Sequence, residues 1–271
     1  MTDLTPRDRL FSRLPSALQR QFAHFAVLER TGSTNADLLA LGGRGVAFEM
    51  AIEQTDGRGR RERTWHSVPG SSLAFSLAFD LHGSADDIAA LPIAVGVACV
   101  TGLQRLGFAV ALKWPNDLVQ TLATGEIHKL GGILVELRAA GPGQWRAVCG
   151  IGLNVTAESI ANLEIDQPAS FLMAVARDPD VDLETIITEL LTDLLGTVVS
   201  GPATFAPMIE AGRTFDCLLG HDVHVIEPQR EWNGTANGWI ASGHLQVTDV
   251  HGTTQVLRSA EVSIRPRGVT A

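Results

Sequence analysis

The apolar residues of this chain change their spacing at Gly212, and that change limits the architecture more than any other feature. Before it the runs are long. Val46–Glu53 and Ser72–Leu81 read as strands, and Leu130–Leu137 and Trp145–Val155, separated by Gly-Pro-Gly, read as a hairpin. After it, His221–Glu227, Thr235–Ile240, His244–Val247 and Thr254–Leu257 are short, β-like and separated by Gly or Asn turns. Strands of that kind fit a small barrel.

Helical signals lie between the early strands. Ser33 or Thr34 caps a short helix, with Asp37 placed to close a capping box with Thr34. Ser84 and Asp87 form a second box ahead of a long helix reaching about Leu106. Leu183, Ile186, Ile187, Leu190, Leu191, Leu194 and Leu195 lie on one helical stripe that stops at Gly196, and a further helix spans Pro202–Ala211. A short helix is expected around Pro15–Phe22, and short strands at Phe25–Glu29 and Ala109–Lys113. The expected division is a lead-in at 1–24, an α+β domain at 25–212 and a small β domain at 213–271.

Apolar residues make up 45% of the chain and charged ones 19%, so it is globular rather than disordered. The formal charge of −9 argues against a general nucleic-acid binder, whose affinity rests on neutralising phosphates, but allows a local basic pocket. Cys99, Cys149 and Cys217 are scattered and form no metal pattern, which fits reduced core thiols and a cytoplasmic setting. Residues 1–10 are too charged for a signal peptide, and the apolar run Ile88–Val100 is too short to span a bilayer. No DNA or membrane partner is expected.

Of the 21 basic residues only Lys113 and Lys129 are lysines, and both fall in motif-like segments. An ammonium is a compact point charge, distinct in its phosphate contacts from a planar guanidinium. In EQTDGRGRRERTW, Gly57 and Gly59 loosen a loop in which Arg58, Arg60, Arg61 and Arg63 outweigh Glu62. Arginine forks suit carboxylates and phosphates, and the flanking Gln54, Thr55 and Trp65 favour an anion-binding loop over a solvated basic turn. The order of a P-loop is absent.

In KWPND, Lys113 either meets a phosphate or pairs with Asp117, and Asn116 either orients a substrate or caps the loop. After Lys129, Gly131 and Gly132 let a strand pass close to a ligand. In GIGLN the polar Asn154 ends an apolar strand.

Ser33-Thr34-Asn35, EQTDGRGRR…TW, KWPND, KLGGILVE and GIGLNV occur here in the order that resembles biotin–protein ligases, also called biotin–[acetyl-CoA-carboxylase] ligases. The likeness is close from about Leu28 to Val155 and loose from Gly220 to Arg265, which ends in EVSIR. It implies a class II aminoacyl-tRNA synthetase-like, biotin–lipoate ligase catalytic domain with a small SH3-like β-barrel. It also implies that Ser33, Thr34, Asn35 and Gln54 surround the biotin head, with Gly57, Arg58, Arg60, Lys129, Gly131 and Gly132 completing the biotin site. Arg58, Gly59, Arg60, Arg61, Arg63, Trp65, Lys113, Asn116, Lys129 and Asn154 would meet ATP. Lys129, Arg58 and Asp117 would be catalytic, with Asp117 serving the incoming amine.

The implied substrates are ATP and biotin with Mg²⁺, and the implied partner is an apo biotin carboxyl carrier protein or domain. The metal ligands are unassigned, and the chain is expected to be a monomer or weak homodimer. A lipoate or octanoate ligase, or a non-catalytic carrier-protein binder, is the alternative. Two features depart from the family: Glu62 where many members have glycine, and a longer linker at Leu118–His128 that is expected to be mobile. The Gly57–Arg63 loop is expected to order around the acyl-adenylate.

Overall fold

The computed structural model describes residues 4–161, 168–178, 180–258 and 263–266, the last as backbone. The chain opens with helices α1 (Pro6–Arg13) and α2 (Ser16–Gln19). Thr5 caps α1 by accepting from the Asp8 amide, and Pro6 starts it where no backbone donor is needed. The helix expected at Pro15–Phe22 is therefore displaced. It shrinks to α2 because Phe22 already begins strand β1 (Phe22–Thr31).

Next come α3 (Thr34–Leu41), β2 (Val46–Gln54), β3 (Ser72–His82), α4 (Ala85–Ile88) and α5 (Leu91–Arg105). Then follow β4 (Ala111–Lys113), β5 (Asp117–Thr121), β6 (Ile127–Gly141) and β7 (Gln144–Asn154). The sheet order is β1-β2-β3-β7-β6-β5-β4, with β1 and β2 parallel and the other pairs antiparallel. The linker at Leu118–His128 forms a hairpin. Strand β5 pairs with β6, and the Leu122 amide donates to the Glu126 carbonyl at 2.8 Å across a turn with Gly125 at φ 87°.

Two helix expectations change in detail. The Ser84–Asp87 capping box is present, but it caps α4 alone, because Pro92 starts α5 as a separate helix. The expected Thr34–Asp37 box is absent. Ser33 occupies the N-cap without a side-chain bond, and Asp37 accepts from the Thr31 hydroxyl.

The stretch Ala85–Arg105 has the length and apolarity of a membrane span, yet 72% of its apolar window lies inside the protein. It is the core helix behind the large sheet. Arg105 pairs with Glu189 and Asp193 of α6 (Leu183–Ser200). Helix α6 runs through Gly196 because Thr197 and Val198 beyond it are buried, and it ends at Gly201 (φ 71°). Helix α7 is Phe205–Ala211.

A second, antiparallel sheet follows, in the order β11-β10-β9-β8-β12. Its strands are β8 (Asp222–Ile226), β9 (Glu231–Trp239), β10 (Leu245–Asp249), β11 (Thr254–Leu257) and β12 (Ser263–Pro266). Of EVSIR, Glu261 and Val262 lie outside the described residues. Its inner face joins the same core. The buried Trp114 indole donates to the Gly243 carbonyl at 3.1 Å, and the buried Trp239 indole to the Ile209 carbonyl at 3.2 Å.

Candidate active site

One face of the large sheet is nearly bare. Side chains alternate along a strand, so residues in register across neighbouring strands share a face. One row reads Asp117, Gly132, Gly152, Ala74 and Ala51, and the next reads Leu134, Gly150, Ser76 and Glu49. Three of these glycines lie under functional groups. A Cβ on Gly132 would sit 3.5 Å from Lys129 Nζ, one on Gly150 2.3 Å from Asn35 Oδ1, and one on Gly152 2.5 Å from the Trp65 ring.

The arginine loop folds back over this floor. The Trp65 amide donates to the Gly57 carbonyl at 2.8 Å, and the Gly59 amide to the Arg63 carbonyl at 2.7 Å. A Cβ on Gly57 would lie 2.4 Å from the Trp65 carbonyl oxygen, so only glycine allows that closure. At the tip Arg61 (φ 56°) and Glu62 (φ 59°) are left-handed, where a Cβ is unfavourable. A glycine at position 62 would accept this backbone freely.

The loop is docked by its arginines. Arg60 Nη1 donates to Asn116 Oδ1 at 3.1 Å, and Asn116 Nδ2 donates to the Ile133 carbonyl at 2.8 Å. Burial, with Arg61 beside it, lowers the Arg60 pKa, and Asp117 opposes that shift. Arg58 Nη1 lies 3.5 Å from Glu136 Oε1. A cleft of about 630 Å³ remains under the loop, with Arg58, Gly59, Arg60, Arg61, Arg63 and Asn116 all in its wall. Its other wall is the β6 stretch Ile133 to Glu136.

A hydrogen-bonded chain starts from the end of β2. Gln54 Oε1 accepts from the Thr34 amide (2.9 Å) and hydroxyl (3.1 Å), and Thr34 meets Ser76 at 2.7 Å. The Ser76 hydroxyl donates to Asn35 Oδ1 at 2.6 Å, and Asn35 Nδ2 donates to Glu136 Oε2 at 2.8 Å. Ser33, Thr34 and Asn35 are buried. Under α3, burial and then Asp37 push the Glu49 carboxyl up to about 8.

Lys129 Nζ lies 2.7 Å from Asp117 Oδ1. Asp117 therefore pairs with Lys129, and Lys113 faces the same residue in the strand register. Antiparallel pairing of Asp117 with Gly132 brings that carboxylate over the bare floor, within reach of Lys129. The Lys129 backbone is fixed by the Pro168 carbonyl and the Ser170 amide, both at 2.8 Å. Asn154 is buried and uses Nδ2 on the Ser170 carbonyl at 3.1 Å, so its amide nitrogen holds the strand segment behind Lys129. Gly131 faces the other way, where a Cβ would be 2.3 Å from the Gly152 carbonyl oxygen.

The structure therefore gathers the arginine loop, Asn116, Asp117, Lys129 and the Ser33–Asn35 segment around one face. Of the expected site residues, Ser33, Thr34, Asn35, Gln54, Trp65, Lys113, Asp117, Lys129, Gly131, Gly132 and Asn154 lie outside the cleft wall itself. Sequence reasoning missed Ser76 and Glu136. The apolar alternation of β3 and β6 held a signal, since each is a polar residue inside a strongly apolar run. Among the described residues no group of three or more His, Cys, Asp or Glu could hold a metal. The arrangement offers four loop arginines set against Asp56, Glu62 and Glu136, a glycine-rich floor and a polar recess, which suits a small molecule bearing an acid.

Comparison with known proteins agrees. Residues 42–154 match the model of the Biotin/lipoate A/B protein ligase family. The biotin–[acetyl-CoA-carboxylase] ligase of Mycobacterium tuberculosis is 30% identical over 96% of this chain and 98% of its own length. That of Paracoccus denitrificans is 39% identical over 139 residues, 48% of this chain and 53% of that protein. The Aquifex aeolicus biotin protein ligase in complex with biotin and ATP has the same fold, with TM-score 0.73 and 24% identity over 89% of this chain and 98% of that one. On the full-length match, with the arginine loop and Lys129–Asp117 on one sheet face, the chain belongs to the biotin–protein ligase family.

Proposed function

We propose that the chain activates biotin with ATP to biotinyl-5′-AMP, releasing pyrophosphate, and passes the biotinyl group to a lysine of a biotin carboxyl carrier protein. The observation that supports this reading is the arginine loop lining a cleft beside the sheet face on which Lys129 lies over Gly132, in a chain of net charge −9. A carboxylate is a poor electrophile, and joining it to AMP gives it a leaving group. The biotin oxygen attacks the α-phosphorus, a new P–O bond forms, and pyrophosphate leaves with the electrons of the broken bond.

Charge builds on the phosphoryl oxygens in that step. Preorganised cations are most effective where such charge develops. Lys129 and the loop arginines are assigned that part, and Lys129 would exchange Asp117 for the phosphate. Thr34, Asn35 and Gln54 would receive the ureido head in the polar recess. The buried Trp65 Nε1 has no hydrogen-bond partner among the described residues, and its ring would close the cleft toward the nucleotide. The closed loop would keep water from the mixed anhydride.

Mg²⁺ usually keeps several waters and binds through one or two carboxylates plus substrate phosphates. It would enter here as part of the ATP substrate. In the second step a lysine amine attacks the acyl carbon and AMP leaves. That amine has a solution pKa of about 10.4, so a carboxylate that takes or orients its proton is useful, and Asp117 would serve as that carboxylate.

The test is pyrophosphate release with biotin, lipoate or octanoate, followed by addition of an apo carrier domain. Release with biotin and mass gain on the carrier lysine are expected. Release with lipoate or octanoate alone would move the assignment to those acids. Carrier binding without any release would make the chain a binding module.

A further inference from the structure

Glu136 lies on β6 at the edge of the cleft, and none of the activation chemistry above uses it. Its two oxygens have different environments. Oε2 accepts from Asn35 Nδ2 at 2.8 Å, and Oε1 lies 3.5 Å from Arg58 Nη1. Asn35 itself is wedged in place. Its amide occupies the space over Gly150 that a Cβ would fill, its oxygen accepts from Ser76, and Nδ2 also reaches the Leu134 carbonyl at 3.3 Å. Glu136 is thus a carboxylate held on one side by a buried, fully engaged amide. Its other side presents a negative charge to one exposed arginine of the loop.

We propose that Glu136 is a positioning residue that stands in for the substrate carboxylate, holding Arg58 until the acid arrives and then releasing it. The inference rests on the acid-activating function proposed above. The physical argument is one of exchange. An exposed guanidinium is drawn only modestly to a nearby carboxylate, but without one it has no counter-charge to hold it beside the cleft. Glu136 supplies that charge in the empty protein, and so keeps the loop docked with Arg58 beside the cleft. The 3.5 Å separation and the exposure of Arg58 make the contact weak, and a weak contact can be traded for a closer carboxylate.

Asn35 makes the trade directional. It holds Glu136 back on the strand, so the carboxylate does not follow Arg58 into the cleft. Because Asn35 belongs to the same chain as Thr34 and Gln54, the group that would meet the head of the substrate also fixes the group that would be displaced by its tail. Glu136 therefore competes with the substrate acid for Arg58. Removing its charge should tighten acid binding and loosen the empty loop at the same time.

Glu136→Gln tests this on the full chain. Glutamine keeps the shape and an oxygen for Asn35, so folding is retained. Biotin- and ATP-dependent pyrophosphate release is measured over biotin concentration at low and high salt, with amide hydrogen exchange of residues 56–65 in the ligand-free protein. The expected result is a biotin KM lower by about two- to fivefold at low salt, a difference that shrinks at high salt, and faster exchange in the empty loop. Glu136→Asp keeps the charge but withdraws it by one methylene, and should fall between the two.

A KM that is unchanged or raised in Glu136→Gln, with an active parent, overturns the inference, as does a lowered melting temperature with no change in KM or its salt dependence. No release by the parent with any of the three acids would instead overturn the function on which it rests.

Discussion

Lys129 Nζ and Asp117 Oδ1 are 2.7 Å apart, joined across adjacent strands above Gly132. The lysine assigned to the first step and the carboxylate assigned to the second are therefore each other's partner before either step. On the proposed function, Lys129 would turn to the phosphate in the first step and leave Asp117 to the incoming amine in the second.

Lys129→Ala should abolish most adenylation. Losing one electrostatic contact to a developing oxyanion costs about 2.7–4 kcal/mol, or roughly 100- to 1000-fold in rate. Biotin-dependent pyrophosphate release measures it, and a rate close to that of the parent would remove Lys129 from the reaction.

Asp117→Asn should form adenylate at near the parental rate but transfer it about 100-fold more slowly, as loss of a general base does. A single-turnover experiment with preformed adenylate and apo carrier domain separates the two. The transfer defect should shrink as pH rises and the amine loses its proton unaided. Equal losses in both steps would mean that Asp117 only holds Lys129.

Glu62→Gly should stabilise the protein by about 1 kcal/mol, because the left-handed backbone at φ 59° disfavours a Cβ. Glu62→Ala removes the charge but keeps the Cβ, and should not reproduce the gain. Urea unfolding of the two variants distinguishes backbone from charge. An equal gain in both would make the carboxylate, not the conformation, the source.

Stability should fall as pH rises from about 4.5 to about 8. Burial and Asp37 raise the folded Glu49 carboxyl above its unfolded value, so the folded state binds more protons in that window. Its contribution is fully present below 4.5 and lost through 8, at a slope of at most about 1.4 kcal/mol per pH unit. Glu49→Gln should flatten the dependence of melting temperature on pH; an unchanged slope would assign it to other groups.

Gly131→Ala should destabilise the β6–β7 pair by about 1–3 kcal/mol, since its Cβ would meet backbone 2.3 Å away that cannot turn aside. Thermal unfolding measures this. A variant as stable as the parent would show that the two strands can part without cost.

The long strands and the arginine loop were legible because each carries its information locally, in alternation or in a glycine pair. Strand β5 was not. Asp117–Thr121 is five residues long, and only its pairing with β6 distinguishes it from a linker. The Thr34–Asp37 box failed for a related reason: Asp37 turns to Thr31 and Glu49, while the Thr34 hydroxyl is taken by Gln54 and Ser76. Ser76 and Glu136 gain their meaning from register. The row that sets Gly150 beside Ser76 makes room for Asn35, and no spacing along the chain encodes that row.

Trp114 directly precedes Pro115, Asn116 and Asp117, and its indole is anchored to Gly243 between β9 and β10. Gly243 in turn sits against Ala90, where a Cβ would be 2.9 Å from Ala90 Cα. The loop that carries Asn116 and Asp117 is thus cantilevered from the far sheet as well as from its own strands. A tilt of the small sheet would shift the Trp114 anchor beside Asn116 and Asp117, so on the proposed function substitutions packed around Gly243 should change transfer to the carrier although they stand outside the cleft.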